Sequence, residues 1–297
     1  MATFPDRGII AEVERAAPVQ RTSYRRGALA RRIAVYTLLL VLAALTIFPL
    51  VWMILTSLTP ENEVFGSIVP STIDVSAYGR TWTSMNFPQA FWNSVFVTVL
   101  TVVIVVVVAT MTGYAFARLT FPGRDGIFYV FLAALMIPGA AILVPMFIFL
   151  KQIHLLDTLP GLSFSYLGGA VPFATFLMRA FFKTLPAELG DAGRIDGCSE
   201  FAVFLRVYMP LTSPGIATIT IFQAVGTWNE FMFANTLIST PGTKTLQAAI
   251  YQAVGQYSTD WPALTSGLAM ATVPIVIVYL VLQRQFISGL TAGALKG

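Results

Sequence analysis

The chain has 297 residues, of which 56% are hydrophobic and only 11% are charged, and its mean hydropathy is +0.76. A soluble core needs far less apolar sequence, so the composition excludes an ordinary soluble domain and indicates a polytopic membrane protein. The net charge of +4 and the pI of about 9.3 require an explanation from either topology or an acidic partner.

The N-terminal segment, residues 1–32, contains Pro, Ser, Arg and Ala without a sustained apolar face. This composition predicts a mobile basic tail. Its charged stretch is too long for an ordinary signal peptide, and the apolar segment after it is long enough to span a bilayer. We therefore expect that segment to be retained as a membrane anchor.

Uncharged runs of membrane-spanning length follow along the chain. A helix needs about 20 largely apolar residues to cross about 30 Å of hydrocarbon. Five runs meet this requirement: Ile33 to Leu55, Thr81 to Ala117, Gly126 to Leu150, Thr158 to Met178, and Trp261 to Gln283. The β-branched run at 102–108 would suggest a strand in a soluble protein, but inside a span-length apolar block it indicates a helix.

A sixth span lies between the fourth and the last, and its limits are less clear. Pro210 and Pro214 favour a start near Gly215, and the Thr-Pro-Gly at 240–242 is a strong stop. Ending the helix before Glu230 would avoid a charge but would leave three apolar residues outside. We expect the longer helix, 215–239, and thus an all-α fold with six transmembrane helices.

The distribution of basic residues predicts the orientation. Fifteen of the 18 Lys and Arg residues fall in segments on the side of the two termini, and only Arg80, Lys151 and Lys244 fall on the other side. By the positive-inside rule both termini are cytoplasmic. The basic pI therefore reflects topology and requires no nucleic-acid partner, although the tail can touch anionic lipid head groups.

A charged, helix-forming segment at 185–211 interrupts the apolar sequence. We expect a helix from about Pro186 to Asp196, a left-handed cap at Gly197, and a second short helix that Ser199 begins and that leads to Tyr208. Four residues should cluster on one side of the first helix: Leu189, Ala192, Gly193 and Ile195. A docking surface and a plain amphipathic linker both fit this pattern. The lone Cys198 excludes an intrachain disulfide.

The order and spacing of several motifs resemble binding-protein-dependent ABC importer permeases. The matching segments are Asp191-Ala192-Gly193 with Arg194-Ile195-Asp196-Gly197 and Met209-Pro210-Leu211, Pro49-Leu50-Val51-Trp52-Met53, Asn93-Ser94, Ala115-Phe116-Ala117-Arg118-Leu119, Trp228-Asn229-Glu230-Phe231, and the tail at 289–297. Across residues 33–297 the chain is similar to the smaller membrane subunit of maltose-type carbohydrate transporters. Asp191 stands at the usual Glu position and Gly193 at the usual second Ala.

The resemblance implies a transport subunit of a bacterial-type inner membrane, with residues 33–288 as the permease domain. It implies a second homologous permease, an ATPase dimer that holds ATP and Mg, and an extracytoplasmic sugar-binding protein. It also implies that the tail at 289–297 reaches the ATPase. Seven residues would couple to the ATPase: Glu188, Asp191, Ala192, Gly193, Arg194, Asp196 and Gly197. The sequence has no phosphate-binding G-x-x-x-x-G-K-[ST] motif, so we expect no cofactor on this chain and no enzymatic activity of its own.

Residues of the sugar path are less clearly indicated. Glu230 is an ionisable residue in a predicted span, which makes it a functional candidate. Trp228 could stack on a sugar and Asn229 could bind hydroxyls, although both residue types also serve structural roles at membrane interfaces. Further candidates are Asn93, Gln223 and Asn235, which could equally bond a neighbouring helix. His154 has no second His nearby, so we expect no metal site.

The segment at 237–260 is too polar and too interrupted to span again, so we expect an extracytoplasmic loop with a short helix. It could meet the binding protein or pack on the permease. Two other interpretations stay open: an ABC importer for a different small solute, and a secondary transporter. The second would more often show several intramembrane ionisable residues or an inverted repeat.

Overall fold

The computed structural model describes the backbone of residues 21–66, 68–255 and 257–294, and the side chains of residue 29 and of residues 31–281 within those ranges. The chain divides into two compact units, Met1–Trp52 and Met53–Gly297. Of the predicted tails, residues 1–20 and 295–297 lie outside the described residues.

The first helix, α1, runs from Arg21 to Ser57 and contains Pro49. Residues 21–32, which we expected to belong to a mobile tail, are therefore helical. The part from Arg31 to Ser57 is long and apolar enough to cross a membrane. Its Leu- and Ala-rich sequence favours a helix, because these are among the best helix formers.

The second unit is helical throughout its regular parts. Its helices are α2 (Ser76–Ser84), α3 (Phe87–Arg118), α4 (Arg124–Ala134), α5 (Gly139–Gln152), α6 (Leu159–Thr184), α7 (Glu188–Ile195), α8 (Glu200–Leu211), α9 (Ser213–Trp228), α10 (Met232–Leu237), α11 (Leu246–Ile250) and α12 (Trp261–Ala294). Prolines lie in the first turns of α3, α6 and α9, where no backbone N–H is needed. In the described residues there is no strand, only an isolated bridge between Val254 and Thr259.

Four helices are long and apolar enough to span a membrane without a break: α1, α3, α6 and α12. The other two predicted spans are bent. Helices α4 and α5 meet at 97°, and α8 and α9 meet at 76°. The α4–α5 pair falls within the span expected at 126–150, whereas in the α8–α9 pair only α9 falls within the span expected at 215–239. The described helices thus provide four unbroken spans and up to six in all, and the all-α membrane fold is confirmed.

Two helices that the sequence predicts as continuous are interrupted in the structure. The span expected at 126–150 is interrupted between Ala134, where α4 ends, and Gly139, where α5 begins directly after Pro138. The span expected at 215–239 ends at Trp228, and α10 begins only at Met232. Glu230 therefore lies in the break and not inside a helix. The last helix, in contrast, continues through Ala294, so most of the expected C-terminal tail prolongs α12.

Helices α3 and α6 form the centre of the second unit. They approach closely at Gly113, where an added Cβ would lie 2.6 Å from the Cβ of Met178. Three buried clusters surround this pair. The first contains Tyr114, Phe182 and Tyr208, the second contains Trp228 of α9, and the third contains Leu237 of α10.

Candidate functional site

Helices α7 and α8 form a compact turn that we call the elbow (residues 188–211). Gly197 has a φ of +80°, the left-handed conformation that glycine adopts at low cost. The Ser199 hydroxyl accepts a hydrogen bond from the Ala202 N–H at 3.3 Å and caps α8. The two expected helices, the glycine bend and the serine cap are all confirmed.

Small residues let α7 lie directly on α8. An added Cβ at Gly190 would come within 2.7 Å of the Tyr208 hydroxyl oxygen. At Gly193 it would lie 3.2 Å from the Cγ2 of Val203, which is tight. Gly193 is thus buried between the helices, at a position where the resemblance leads us to expect alanine.

The outward face of α7 combines apolar and charged side chains. Ile195 is 86% exposed and Leu189 is 36% exposed, and Ala192 and Glu188 are also exposed. Gly193 does not join this face, so the four-residue cluster expected from periodicity is only partly correct. Leu189 and Ile195 are the large apolar side chains that this short helix exposes.

A polar network links the two helices of the elbow. The Arg194 guanidinium donates from Nε and Nη2 to the two carboxylate oxygens of Glu200 at 3.0 and 3.1 Å, and from Nη1 to Asp191 at 2.8 Å. The pairing with Glu200 raises the pKa of Arg194 above its ordinary value. The Tyr114 hydroxyl of α3 also donates to Glu200. The elbow is thereby bonded to α3.

Arg118, at the end of α3, supports the same region. Its guanidinium donates to the backbone carbonyls of Phe182 and Leu185, which end α6. It also lies 4.9 Å from the ring centre of Tyr208 in α8. Carbonyls at a helix end have no intrahelical partner, so a cation is well suited to this position.

A cleft of about 370 Å³ opens between α4, α5, α6 and α9. Its polar lining includes Tyr166, Gln223, Thr227 and Glu230. Glu230 accepts from the Tyr166 hydroxyl at 2.6 Å and from the N–H groups of Phe233 and Ala234 at 2.8 and 3.1 Å. Its charge is therefore compensated at the break between α9 and α10.

The structure brings only two of the six sugar-path candidates, Gln223 and Glu230, into this cleft. Trp228 is buried and donates from Nε1 to the Ala271 carbonyl at 3.2 Å. Asn93 is buried too and donates to the carbonyls of Gly242 and Lys244, both at 2.9 Å. These two residues hold the fold together and do not line the cleft. Asn229 and Asn235 are exposed, and Asn229 donates to the Val225 carbonyl at 2.9 Å.

Sequence reasoning missed several residues of the cleft and of the elbow. Tyr166 and Thr227 line the cleft, and Gly168 and Gly169 widen it because neither carries a side chain. The Gly-Gly pair inside a span was a visible signal, since such pairs mark close approach or open space. No sequence signal pairs Tyr114 with Glu200, because these residues meet only in the folded chain.

The turn between α5 and α6 carries a polar hub centred on Asp157, at the end of the helices opposite the elbow. Asp157 accepts from the N–H groups of Ser239 and Thr240 at 2.8 and 3.0 Å and from the Thr240 hydroxyl at 2.6 Å. Partial burial opposes ionisation, but these hydrogen bonds outweigh it and lower the pKa of Asp157. Among the described residues, no group of three His, Cys, Asp or Glu side chains could hold a metal ion.

Comparisons with known proteins agree on one family. A family model described as "Binding-protein-dependent transport system inner membrane component" matches residues 109–291. The diacetylchitobiose uptake system permease protein NgcG of Streptomyces coelicolor is 33% identical over 266 residues, covering 88% of each chain. The trehalose transport system permease protein SugB of Mycobacterium tuberculosis is 34% identical over 254 residues, covering 84% of this chain and 93% of the relative.

Solved structures show the same fold. A crystal structure of a bacterial ABC transporter involved in the import of the acidic polysaccharide alginate matches with a TM-score of 0.75 and 24% identity, covering 91% of this chain and 100% of that chain. An inward-facing MetNI methionine ABC transporter matches with a TM-score of 0.54 and 16% identity, covering 68% and 95%. At these identities the likeness supports the fold only and does not indicate which solute this chain transports.

Proposed function

The chain belongs to the binding-protein-dependent transport system inner membrane component family, and from this premise we propose that it is one permease subunit of an ABC importer for a sugar or oligosaccharide. The sugar class is supported by relatives whose names specify diacetylchitobiose, trehalose and arabinooligosaccharides. An importer of another small solute is the alternative.

The elbow is the proposed docking site for a partner ATPase. The exposed face of α7 is the observation that supports this assignment. Helix α7 exposes Leu189 and Ile195 beside the charges of Glu188 and Asp191. The bend at Gly197 and the close packing at Gly190 fix its orientation. A rigid helix of this kind can seat in a groove and move with it, which is what coupling to ATP hydrolysis requires.

The remaining partners follow from the same proposal. ATP and Mg would be held by the ATPase and not by this chain, and a second homologous permease would complete the passage. A sugar-binding protein would dock on the side opposite the elbow. The excess of Lys and Arg in the segments on the side of the two termini supports a cytoplasmic elbow and cytoplasmic termini.

The cleft at the break between α9 and α10 is the proposed contribution of this chain to the passage. Its volume of about 370 Å³ falls in the range of small-molecule sites. Tyr166 offers an aromatic face, and Gln223 and Thr227, whose side chains hydrogen-bond each other at 2.7 Å, add polar groups to the lining. Because Glu230 already binds Tyr166 and two backbone N–H groups, its role is to position Tyr166 more than to bind cargo directly.

Two substitutions test the docking assignment. Asp191→Lys reverses an exposed charge on α7, and Gly197→Val puts a β-branched residue at a φ of +80° and disturbs the bend. We expect both variants to insert into the membrane, to lose most of the co-purifying ATPase, and to lose sugar uptake. Normal uptake with normal ATPase co-purification in both variants would contradict the assignment.

A further inference from the structure

Helix α3 is bonded at both of its ends to segments that lie far from it in sequence. Near one end Tyr114 donates to Glu200 of the elbow. Near the other end Asn93 donates to the carbonyls of Gly242 and Lys244, and the Ser94 hydroxyl accepts from the Leu246 N–H at 2.8 Å. The two sets of contacts are separated by about 30 Å along the helix.

We propose that α3 is a strut that couples the elbow to the loop segment at 242–246 on the opposite face, with Tyr114, Glu200 and Asn93 as positioning residues. The proposal rests on the proposed function, in which the elbow receives the ATPase and the opposite face receives the binding protein. The chain itself connects the elbow to α6 and α9, so a role for α3 does not follow from the connectivity.

The contact with the elbow is suited to transmitting a displacement. Both carboxylate oxygens of Glu200 accept from Arg194 of α7, and Oε1 also accepts from Tyr114 of α3. One carboxylate thus joins three helices. Hydrogen bonds to an ionised group are roughly twice as strong as neutral ones.

The surrounding packing keeps α3 and the elbow in fixed register. The Tyr114 ring lies 5.0 Å from the Phe204 ring and 5.5 Å from the Tyr208 ring, measured between centroids. Beside it, Gly113 permits the close approach to Met178 of α6. A close-packed contact of this kind moves as a unit and does not deform gradually. A shift of the elbow would therefore displace α3.

The opposite contact is equally well defined. Asn93 and Ser94 are buried, and together they fix three backbone groups of the segment at 242–246. The neighbouring residues 239–242 are exposed and available to a partner. A partner that displaces this segment would pull on α3, and a displacement of α3 would in turn move the segment.

The test measures how strongly the binding protein stimulates ATP hydrolysis by the assembled complex in proteoliposomes. Tyr114→Phe removes one hydroxyl and keeps the ring, and Asn93→Ala removes the amide at the other end. We expect each variant to co-purify with the ATPase and to lose stimulation about fivefold or more, in the range of typical coupling energies. The double variant should be no worse than the more affected single variant, because one broken contact already disconnects the strut.

Tyr129→Phe is the matched control, since Tyr129 lies exposed on α4 and this change removes the same atom. It should leave stimulation unchanged. Glu200→Gln provides a second variant at the elbow contact and should resemble Tyr114→Phe. Unchanged stimulation in Tyr114→Phe and Glu200→Gln overturns the strut. Loss of ATPase co-purification in both also overturns it, because the contact would then serve docking. A wild-type chain that binds no ATPase contradicts the proposed function instead.

Discussion

Individual polar side chains in this permease bind the backbone of neighbouring segments more often than they face the cleft. Asn93 binds two carbonyls, Trp228 binds the Ala271 carbonyl, and Asp157 binds two N–H groups. The Asn93 and Trp228 side chains are buried, and an unpaired backbone carbonyl is costly where water does not reach. A polar residue in an apolar sequence therefore identifies an important contact but does not say whether its partner is cargo or backbone.

Asp157 gives the first prediction at this scale. Because its pKa is lowered in the folded protein, its ionised form stabilises the fold at pH values above about 3.9, the ordinary value, and this contribution is lost as the pH falls through the lower folded value. Asp157→Asn should speed hydrogen exchange of the Ser239 and Thr240 amides about tenfold at neutral pH, as expected for losing one charge-assisted hydrogen bond.

Mass spectrometry on the peptide that contains these amides, corrected for intrinsic exchange rates, measures the effect. The wild type and Asp157→Asn should converge as the pH is lowered below about 4. Asp74→Asn is the control, because Asp74 binds Ser76 elsewhere and should not alter these amides. Equal protection in the wild type and Asp157→Asn at pH 7 would show that the hub does not hold the segment.

Residue roles were predictable from sequence where the interaction is local. The left-handed Gly197 and the capping Ser199 follow from residue type and neighbouring sequence, and both are confirmed. The contact between Tyr114 and Glu200 joins residues 86 positions apart. A contact of that kind depends on how the helices pack, so no local pattern could have predicted it.

At the scale of whole helices, the positions of the spans were predictable and their breaks were not. Apolar length locates the segments that can enter the membrane: four of the predicted spans are unbroken helices, and the two expected at 126–150 and 215–239 are interrupted. Hydropathy does not register that Pro138 separates α4 from α5 at 97°. Hydropathy also treats Glu230 as a charge within one continuous helix. In the structure the Glu230 carboxylate accepts from the N–H groups at the start of α10 and so stabilises the break between the two helices.

The packing of α7 on α8 gives a prediction with a built-in control. Gly190→Ala places a methyl group 2.7 Å from the oxygen of Tyr208, a buried side chain whose ring would have to shift. We expect the free energy of unfolding to fall by about 1–3 kcal/mol, as is typical of overpacking. Gly193→Ala meets Val203 at 3.2 Å, needs only a small adjustment, and improves helix propensity by up to about 1 kcal/mol.

Thermal unfolding of the two purified variants, with ATPase co-purification as a second readout, makes the comparison. Gly193→Ala should lie close to the wild type, and Gly190→Ala should melt earlier and bind less ATPase. If Gly193→Ala were the more damaging of the two, the close approach of α7 to α8 at Gly190 would not limit the geometry of the elbow.

At the scale of the whole molecule, the proposed function requires a passage, a docking surface and an energy source supplied by a partner. The cleft lies between helices, the exposed face of α7 lies at one end, and the sequence has no phosphate-binding loop. ATP can favour one arrangement of such a protein only through a partner that binds the two arrangements differently. Transport should therefore depend on the assembled complex.

Reconstitution into liposomes tests this dependence. The chain alone should hydrolyse no ATP and import no sugar, because it supplies half of a passage and none of the energy. Adding the second permease and the ATPase should give ATP hydrolysis, and adding the sugar-loaded binding protein should give uptake. The Asp191→Lys chain mixed with the same components serves as the control, since every component is then added and only the elbow is changed. Sugar uptake by this chain alone would instead identify a secondary carrier, in which the cleft beside Glu230 would use an ion gradient and the elbow would have no part in transport.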